Sequence, residues 1–546
     1  MVSVTVMLQK TNTQQPDSGV ISHKYFKLQK TVMHRLRGSP CIVVLLFYFT
    51  CLWTDVVAMC PVKCHCDDEN LRVMCDSANL DVVPITLNPE LRELVLKNNH
   101  IKGIMASFSV YHNLKYLDVS HNQLVTIGKN NFQKQNNLRY LLLSRNMISS
   151  LENETFIGLE KLSVLQMNEN FLEEIPPNVF SVLNNLENLD LSQNRIFSIS
   201  DAAFEGLGSL RTLSLRDNKI TEIPTHAFHD ILTLLKLDIG LNSFRIVPEE
   251  AFSLLRQLEE LSLDGCGIQT IELGAFRWLN SLLVLRLHDN ELDEIPTNAL
   301  FDVRRLEEIN IGQNNFVELK PLCFKRLKYL RIIEICGSQK LIRIQKEAFA
   351  DNSNIQKLVI NHNKMFSKID HQTFDGLPHL KFVSLRGNAF TTFQYDLLSW
   401  DELDVLDVRD NPLFCNCDLL WLWSLLNKKN FSSSTLSDLT DVRCADPPGL
   451  ENVLLTEVSE EGLGCFLENR RRQIIIGVVV AAAVAIVTLV LLGFRYREKL
   501  SRAFKNKWTS GRKEPQYQKT ACVEEESNIL HAAAQQSLKM TPVTEL

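Results

Sequence analysis

Residues 91–101 read LRELVLKNNHI, with Leu91, Leu94, Leu96, Asn99 and Ile101 spaced as L-x-x-L-x-L-x-x-N-x-L. The spacing returns along the chain. Its asparagine column runs Asn99, Asn122, Asn146, Asn170, Asn194, Asn218, Asn242, Cys266, Asn290, Asn314, Ser338, Asn363, Asn388 and Asn411, fourteen units with most steps equal to 24. A second column keeps the same step: Phe132, Phe156, Phe180, Phe204, Phe228, Phe252, Phe276, Leu300 and Phe324. Pro176, Pro224, Pro248 and Pro296 fall in phase with both. Three columns sharing one period exclude coincidence and make residues 91–413 a single stacked array.

This is the leucine-rich repeat pattern, and its physics predicts an α/β solenoid. Each x-L-x-L piece is a short strand whose side chains alternate in and out. The leucines point inward and the phenylalanines close the core from the opposite wall. One unit cannot bury its own apolar face, so units must stack. The asparagine stands at the turn, where its amide satisfies backbone groups that would otherwise lie unpaired inside. Strands about 4.8 Å apart make a parallel concave sheet roughly 65 Å along its arc. The wider outer wall bends the stack into a horseshoe.

Such a stack exposes core at its ends and needs caps. Of 14 cysteines, eight fall in two tight groups flanking the repeats: Cys60, Cys64, Cys66 and Cys75 before them, Cys415, Cys417, Cys444 and Cys465 after. Four cysteines admit three pairings, and a zinc site is the alternative. A secreted compartment favours disulfides. Trp421 and Trp423 are expected to pack on the last repeat. Cys266 replaces an asparagine, Cys323 takes a small buried slot, and Cys336 lies on the concave side of the most irregular unit.

The flanks set the topology. Cys41–Trp53 reads CIVVLLFYFTCLW, preceded by Arg35 and Arg37 and followed by small residues up to Ala58. That is a secretory signal over 1–58, with Met33 a more usual start. Ile474–Phe494 carries no charge and is long enough to cross a bilayer. Arg470, Arg471 and Arg472 precede it, and a larger basic excess from Arg495 to Lys513 follows. The excess marks the cytoplasmic side, so the expected protein is a single-pass type I protein of the plasma membrane. Gly477, Ala481 and Ala485 form a small-residue stripe in the span. The tail ends Thr544-Glu545-Leu546, which suits an intracellular PDZ adaptor.

Binding is expected on the concave strand positions. Tyr116 and Tyr140 stand on adjacent units beside Leu142, good anchors for a protein partner. Asp190, Asp238, Glu260, Asp264 and Glu308 make the middle acidic and suited to steering a basic partner. Asn153 and Asn430 open the two glycan acceptor triplets. The net charge of −6, with basic residues clustered only beside the span, argues against a nucleic-acid partner. No H-E-x-x-H, G-x-S-x-G, phosphate loop or kinase motif occurs, so neither an enzyme nor a cofactor is expected.

The layout divides into a signal over 1–58, a cysteine cap over 59–90, repeats over 91–413, a cap and stalk over 414–469, the span over 474–494 and a tail over 495–546. The cysteine spacings resemble known leucine-rich repeat caps. That resemblance implies Cys60–Cys66 with Cys64–Cys75, and Cys415–Cys444 with Cys417–Cys465. The ensemble resembles the insect Capricious/Tartan group of leucine-rich repeat cell-surface proteins. The group implies homophilic or heterophilic recognition between cells, in matching axons or muscles to targets and in sorting at tissue boundaries. The alternative is a signalling receptor or co-receptor for a soluble or microbial ligand.

Overall fold

The structure is a computed structural model and describes residues 59–105, 108–428 and 441–508. The expected signal, Asn430 and the Thr544-Glu545-Leu546 ending lie outside the described residues. The chain forms two units, Met1–Val458 and Ser459–Leu546.

The first unit is a solenoid built on a 16-stranded sheet. Its first strand, His65–Asp67, pairs antiparallel with Arg72–Met74, and Arg72–Met74 pairs parallel with the first repeat strand, Glu93–Val95. From there every neighbour is parallel, one three-residue strand per repeat, ending at Val405–Asp407. The register is strict. Leu189, Leu213, Leu237 and Leu261 sit opposite one another in successive strands and are buried, while the residues on either side face outward. A one-residue slip would turn that leucine row to solvent, so burial fixes the register.

The phenylalanines form the opposing wall. Phe108 stacks on Phe132 at 5.9 Å, Phe228 on Phe252 at 6.3 Å, and Phe349 on both Phe324 and Phe374 at 6.0 and 6.3 Å. The rings are buried and nearly parallel, as one residue per repeat at one height requires.

Between the two walls runs the asparagine ladder. Asn218 Nδ2 donates to Leu215 O in its own repeat at 3.0 Å and to Leu191 O in the previous one at 3.1 Å. Its Oδ1 accepts the Ile196 N–H at 2.9 Å. Asn146, Asn170, Asn194, Asn242 and Asn314 repeat this arrangement. Cys266 interrupts it. Its Sγ lies 3.4 Å from Ile239 O, and it has no oxygen to accept the Phe244 N–H as Asn242 accepts that of Ile220. Cys266→Asn is therefore expected to stabilise the array by about 1 kcal/mol, the net worth of restored buried hydrogen bonds. A melting temperature that falls instead would show the pocket too tight for the amide.

The irregular unit around Ser338 does not break the sheet. Ile333 pairs with Ile309 and with Leu358 in unbroken register. Ser338 is fully buried and its Oγ makes no hydrogen bond, so the ladder is weakened there too.

At the N-terminal end Cys60 is bonded to Cys66 and Cys64 to Cys75. At the other end Cys415 is bonded to Cys444, and Cys417 and Cys465 are disulfide-bonded as well. These bonds leave no free thiolates there for zinc. The helix Leu420–Lys428 lays Trp421 against Trp400 at 5.0 Å, with its indole donating to Phe393 O. The Trp423 indole donates to Val458 O. Trp421 thus packs on the last repeats as expected, whereas the Trp423 hydrogen bond lies within the cap.

The second unit contains the helix Cys465–Trp508. Its segment Arg471–Arg497 is long and apolar enough to cross a membrane.

Candidate functional site

The outward residues of the repeat strands share one face, and the structure sorts the expected contact residues into three kinds. Tyr116 and Tyr140 are register partners with ring centroids 6.0 Å apart. Tyr140 is 44% exposed, the highest of any large apolar side chain described on the strands of the large sheet, and Leu142 beside it is half-buried. Burial raises the Tyr116 hydroxyl above its ordinary pKa, helped by Asp118 and Glu93, so it stays a neutral donor at physiological pH. The two rings form an apolar ledge on the first repeats.

The acidic middle is a different matter. Asp190 is half-buried and accepts the Ser192 N–H and hydroxyl at 3.0 and 2.6 Å. Glu260 is bridged by Lys236 at 2.8 Å, with Arg286 at 3.9 Å. Asp238 accepts the Gly240 N–H at 3.0 Å and faces Arg216 at 3.3 Å. Asp264 corrects the expectation outright. Its side chain is only 3% exposed and is gripped by both terminal nitrogens of Arg216, at 3.1 and 2.6 Å. It is a structural carboxylate, not a contact. Glu308 remains half-exposed on its strand.

Charge balance in this cluster is local. Burial pushes the Asp264 carboxyl up, but the Arg216 hydrogen bond and charge, with His288 at 3.6 Å, outweigh it and hold the group below the usual range. Asp238 is held above its ordinary value, because burial outweighs the Gly240 N–H and the more distant guanidinium. One of the cations of this region, Arg216, lies in the column one step after the second leucine, and Asp264 occupies the same column two repeats on. Comparing adjacent repeats alone hides such a pair.

Cys336 is half-buried with its Sγ 4.0 Å from Val359 O, and burial raises its thiol pKa. Cys266 and Cys323 are buried, their thiols pushed up to about 12. Asn153 is exposed in the turn before Phe156, and the hydroxyl of Thr155 in its triplet is buried and accepts the Glu152 N–H at 3.1 Å.

Family models for the leucine-rich repeat match overlapping stretches from 89 to 268 and again over 353–413, and a BspA-type leucine-rich repeat region matches 245–381. The chain is a leucine-rich repeat protein. Similar curated proteins include oligodendrocyte-myelin glycoprotein of Mus musculus, 28% identical over 152 residues, 24% of this chain and 34% of that one. Leucine-rich repeat-containing protein 3 of Danio rerio is 35% identical over 126 residues, 22% of this chain and 47% of its own. Reticulon-4 receptor-like 2 of Rattus norvegicus is 34% identical over 131 residues, 24% and 31% respectively. This leucine-rich repeat protein thus spans under half the length of these relatives. Among solved structures, a leucine-rich repeat protein of Leptospira interrogans aligns with a TM-score of 0.55 at 22% identity, covering 69% of this chain and 91% of that one. The TLR13–ssRNA13 complex aligns at 0.51 and 22%, covering 68% and 60%. Likeness at that identity is likeness of fold.

Proposed function

We propose that this protein is a single-pass type I cell-surface recognition protein that holds another surface protein against the N-terminal part of its concave sheet. The observation that carries the reading is the Tyr116–Tyr140 ledge: two adjacent aromatic rings, 6.0 Å apart, left open on a sheet whose register is fixed by burial. Aromatic side chains on a rigid frame lose little entropy when a partner docks, which is why they concentrate binding energy. The apolar helix supplies the anchor, and the larger basic excess after it keeps the tail inside. Names among the relatives, a myelin glycoprotein and a receptor-like protein, agree with a surface role.

The finer reading follows the Capricious/Tartan resemblance: adhesion between cells in neuronal or muscle target selection and in boundary sorting, by homophilic or heterophilic contact. A PDZ adaptor at Thr544-Glu545-Leu546 and glycans at Asn153 and Asn430 belong to the same proposal. Cells expressing the full chain are expected to aggregate with themselves or with a partner line, also when the tail is deleted. The paired change Tyr116→Ala and Tyr140→Ala should weaken that attachment about 30-fold or more, the usual loss at a binding hot spot. Aggregation indifferent to both tyrosines, or a ligand-triggered output that needs the tail, would replace adhesion by the receptor reading.

A further inference from the structure

The residue just before each repeat strand forms an edge column, and on the first three repeats it is occupied by Arg92, Lys115 and Arg139. Backbone bonds chain them together. The Lys115 N–H donates to Arg92 O and the Arg139 N–H to Lys115 O, both at 2.8 Å. The three side chains are exposed, one per strand, about 4.8 Å apart along the sheet. Lys115 and Arg139 immediately precede Tyr116 and Tyr140, so the cationic row borders the aromatic ledge.

The three form an uninterrupted cationic run. Farther on, Arg216 is matched to Asp264, Lys236 to Glu260, Arg331 to Glu307 and Lys357 to Glu334, and the other cations of the same column outside an ion pair, Arg211 and Lys381, stand singly, between Glu187 and Leu235 and between Gln356 and Asp404. None of Arg92, Lys115 and Arg139 enters an ion pair among the described residues. The nearby carboxylates are engaged elsewhere. Glu93 is bridged by Arg72 at 3.0 Å, Asp118 is buried and accepts the Ser120 N–H and hydroxyl, and Glu169 is held by Arg145 at 2.6 Å. The ledge thus combines open rings with an unbalanced positive rim.

We infer that the partner segment seated on this ledge is acidic: a stretch of protein that places an apolar side chain on Tyr116, Tyr140 and Leu142 and carboxylates against Arg92, Lys115 and Arg139. The inference rests on the recognition reading above and gives the partner's charge the opposite sign to that suggested by the acidic columns of the sequence. Asp238, Glu260 and Asp264 have cations of the protein itself beside them, so less of their field is left to steer a basic partner, whereas the cations of the rim enter no ion pair. A sulfated polysaccharide would answer the cations but leave the rings without apolar contact, so a protein segment uses the whole surface.

The test uses cells displaying the full-length chain and beads of four kinds. The first carry a synthetic peptide alternating glutamate with phenylalanine and leucine. The second carry the same peptide with lysine for glutamate, the third the peptide with alanine for its apolar residues, and the fourth heparin. The first kind is expected to be retained at least tenfold better than the others and to be released as salt rises. Arg92→Glu, Lys115→Glu and Arg139→Glu together should abolish its retention and favour the lysine peptide. Lys219→Glu, on an exposed residue off this rim, should change nothing. Surface display and protease resistance of the triple variant establish that it is folded, and glutamine at the three positions provides a milder variant that should lose most of the retention. Equal retention of the heparin or alanine beads would assign the rim to a polyanion. Retention of the lysine beads, indifference to the triple change, or no retention of the first beads would each overturn the inference. Cell attachment that depends on Tyr116 and Tyr140 but not on the rim would sink the acidic partner and leave the recognition reading standing. Absence of any cell attachment would sink the recognition reading itself.

Discussion

Asn218→Asp is expected to cost the repeat array on the order of 3–5 kcal/mol, the scale of an uncompensated buried charge, and more than Asn218→Ala. The hydrogen bonds give the reason. Each ladder carbonyl is shared by two amides: Leu191 O receives Nδ2 of both Asn194 and Asn218, and Leu215 O receives that of Asn218 and Asn242. Alanine therefore leaves both carbonyls with one donor each and fully orphans only the Ile196 N–H, a loss of about 1–3 kcal/mol. Aspartate keeps the acceptor for that N–H but turns a second oxygen toward two carbonyl oxygens. Asparagine to aspartate changes almost no volume, so the excess over alanine reads the electrostatics of the ladder and not a cavity. The introduced carboxyl can regain a donor only by taking up a proton, so the deficit should shrink as pH falls toward about 4 and below. Melting the detergent-solubilised protein at pH 7 and pH 4 checks both orderings. Equal losses for the two variants would mean that the donors to Leu191 O and Leu215 O contribute little.

The ladder also shows what could be read in advance and what could not. Leu94, Asn99 and Phe132 each recur at a fixed period, and a period is visible without coordinates. The solenoid, its sheet and the place of the asparagines follow from that alone. Cys266 and Ser338 were legible as gaps in the asparagine column, and both gaps cost hydrogen bonds. The tyrosine ledge was legible for the same reason, because Tyr116 and Tyr140 stand one unit apart in one column. Electrostatic partnership is not periodic. Arg216 and Asp264 are 48 residues apart in sequence and meet only because a guanidinium crosses an intervening repeat. Asp238, Glu260 and Asp264 therefore looked free in the sequence and meet cations in the fold, while Asp190 and Glu308 enter no ion pair among the described residues. The cationic rim failed to show for the opposite reason. Arg92, Lys115 and Arg139 are ordinary in any local window and become distinctive only when neighbouring charges prove to be paired.

That crossing makes Arg216→Ala the second large effect, also on the order of 3–5 kcal/mol. Neighbouring strands stand about 4.8 Å apart, so Arg216 must span two steps to reach Asp264. The repeat between them carries Gly240, and a Cβ there would lie 2.5 Å from Arg216 Nη1 and 2.9 Å from both the backbone oxygen and Oδ1 of Asp264. The glycine leaves the channel through which the guanidinium passes, so Gly240→Ala should disturb the same pair without touching either charge. Removing Arg216 leaves Asp264, 3% exposed, with only His288 at 3.6 Å for company. Either the carboxylate stays charged at high cost or it takes up a proton. The sign of the pH dependence follows. In the intact protein Asp264 is held below its unfolded value, so its contribution is present above about pH 4 and fades as pH falls through the lower folded value. Asp238, held above its unfolded value, works in the opposite sense and blunts the acid loss. Without Arg216 burial acts on Asp264 against only His288 and a backbone N–H, and the gap between variant and parent should be widest at neutral pH and narrow on acidification. Adding Asp264→Asn to Arg216→Ala should recover much of the loss at pH 7, because a neutral amide needs no cation. Failure of that second change to restore stability would show that Arg216 acts through its packing over Gly240 and not through its charge.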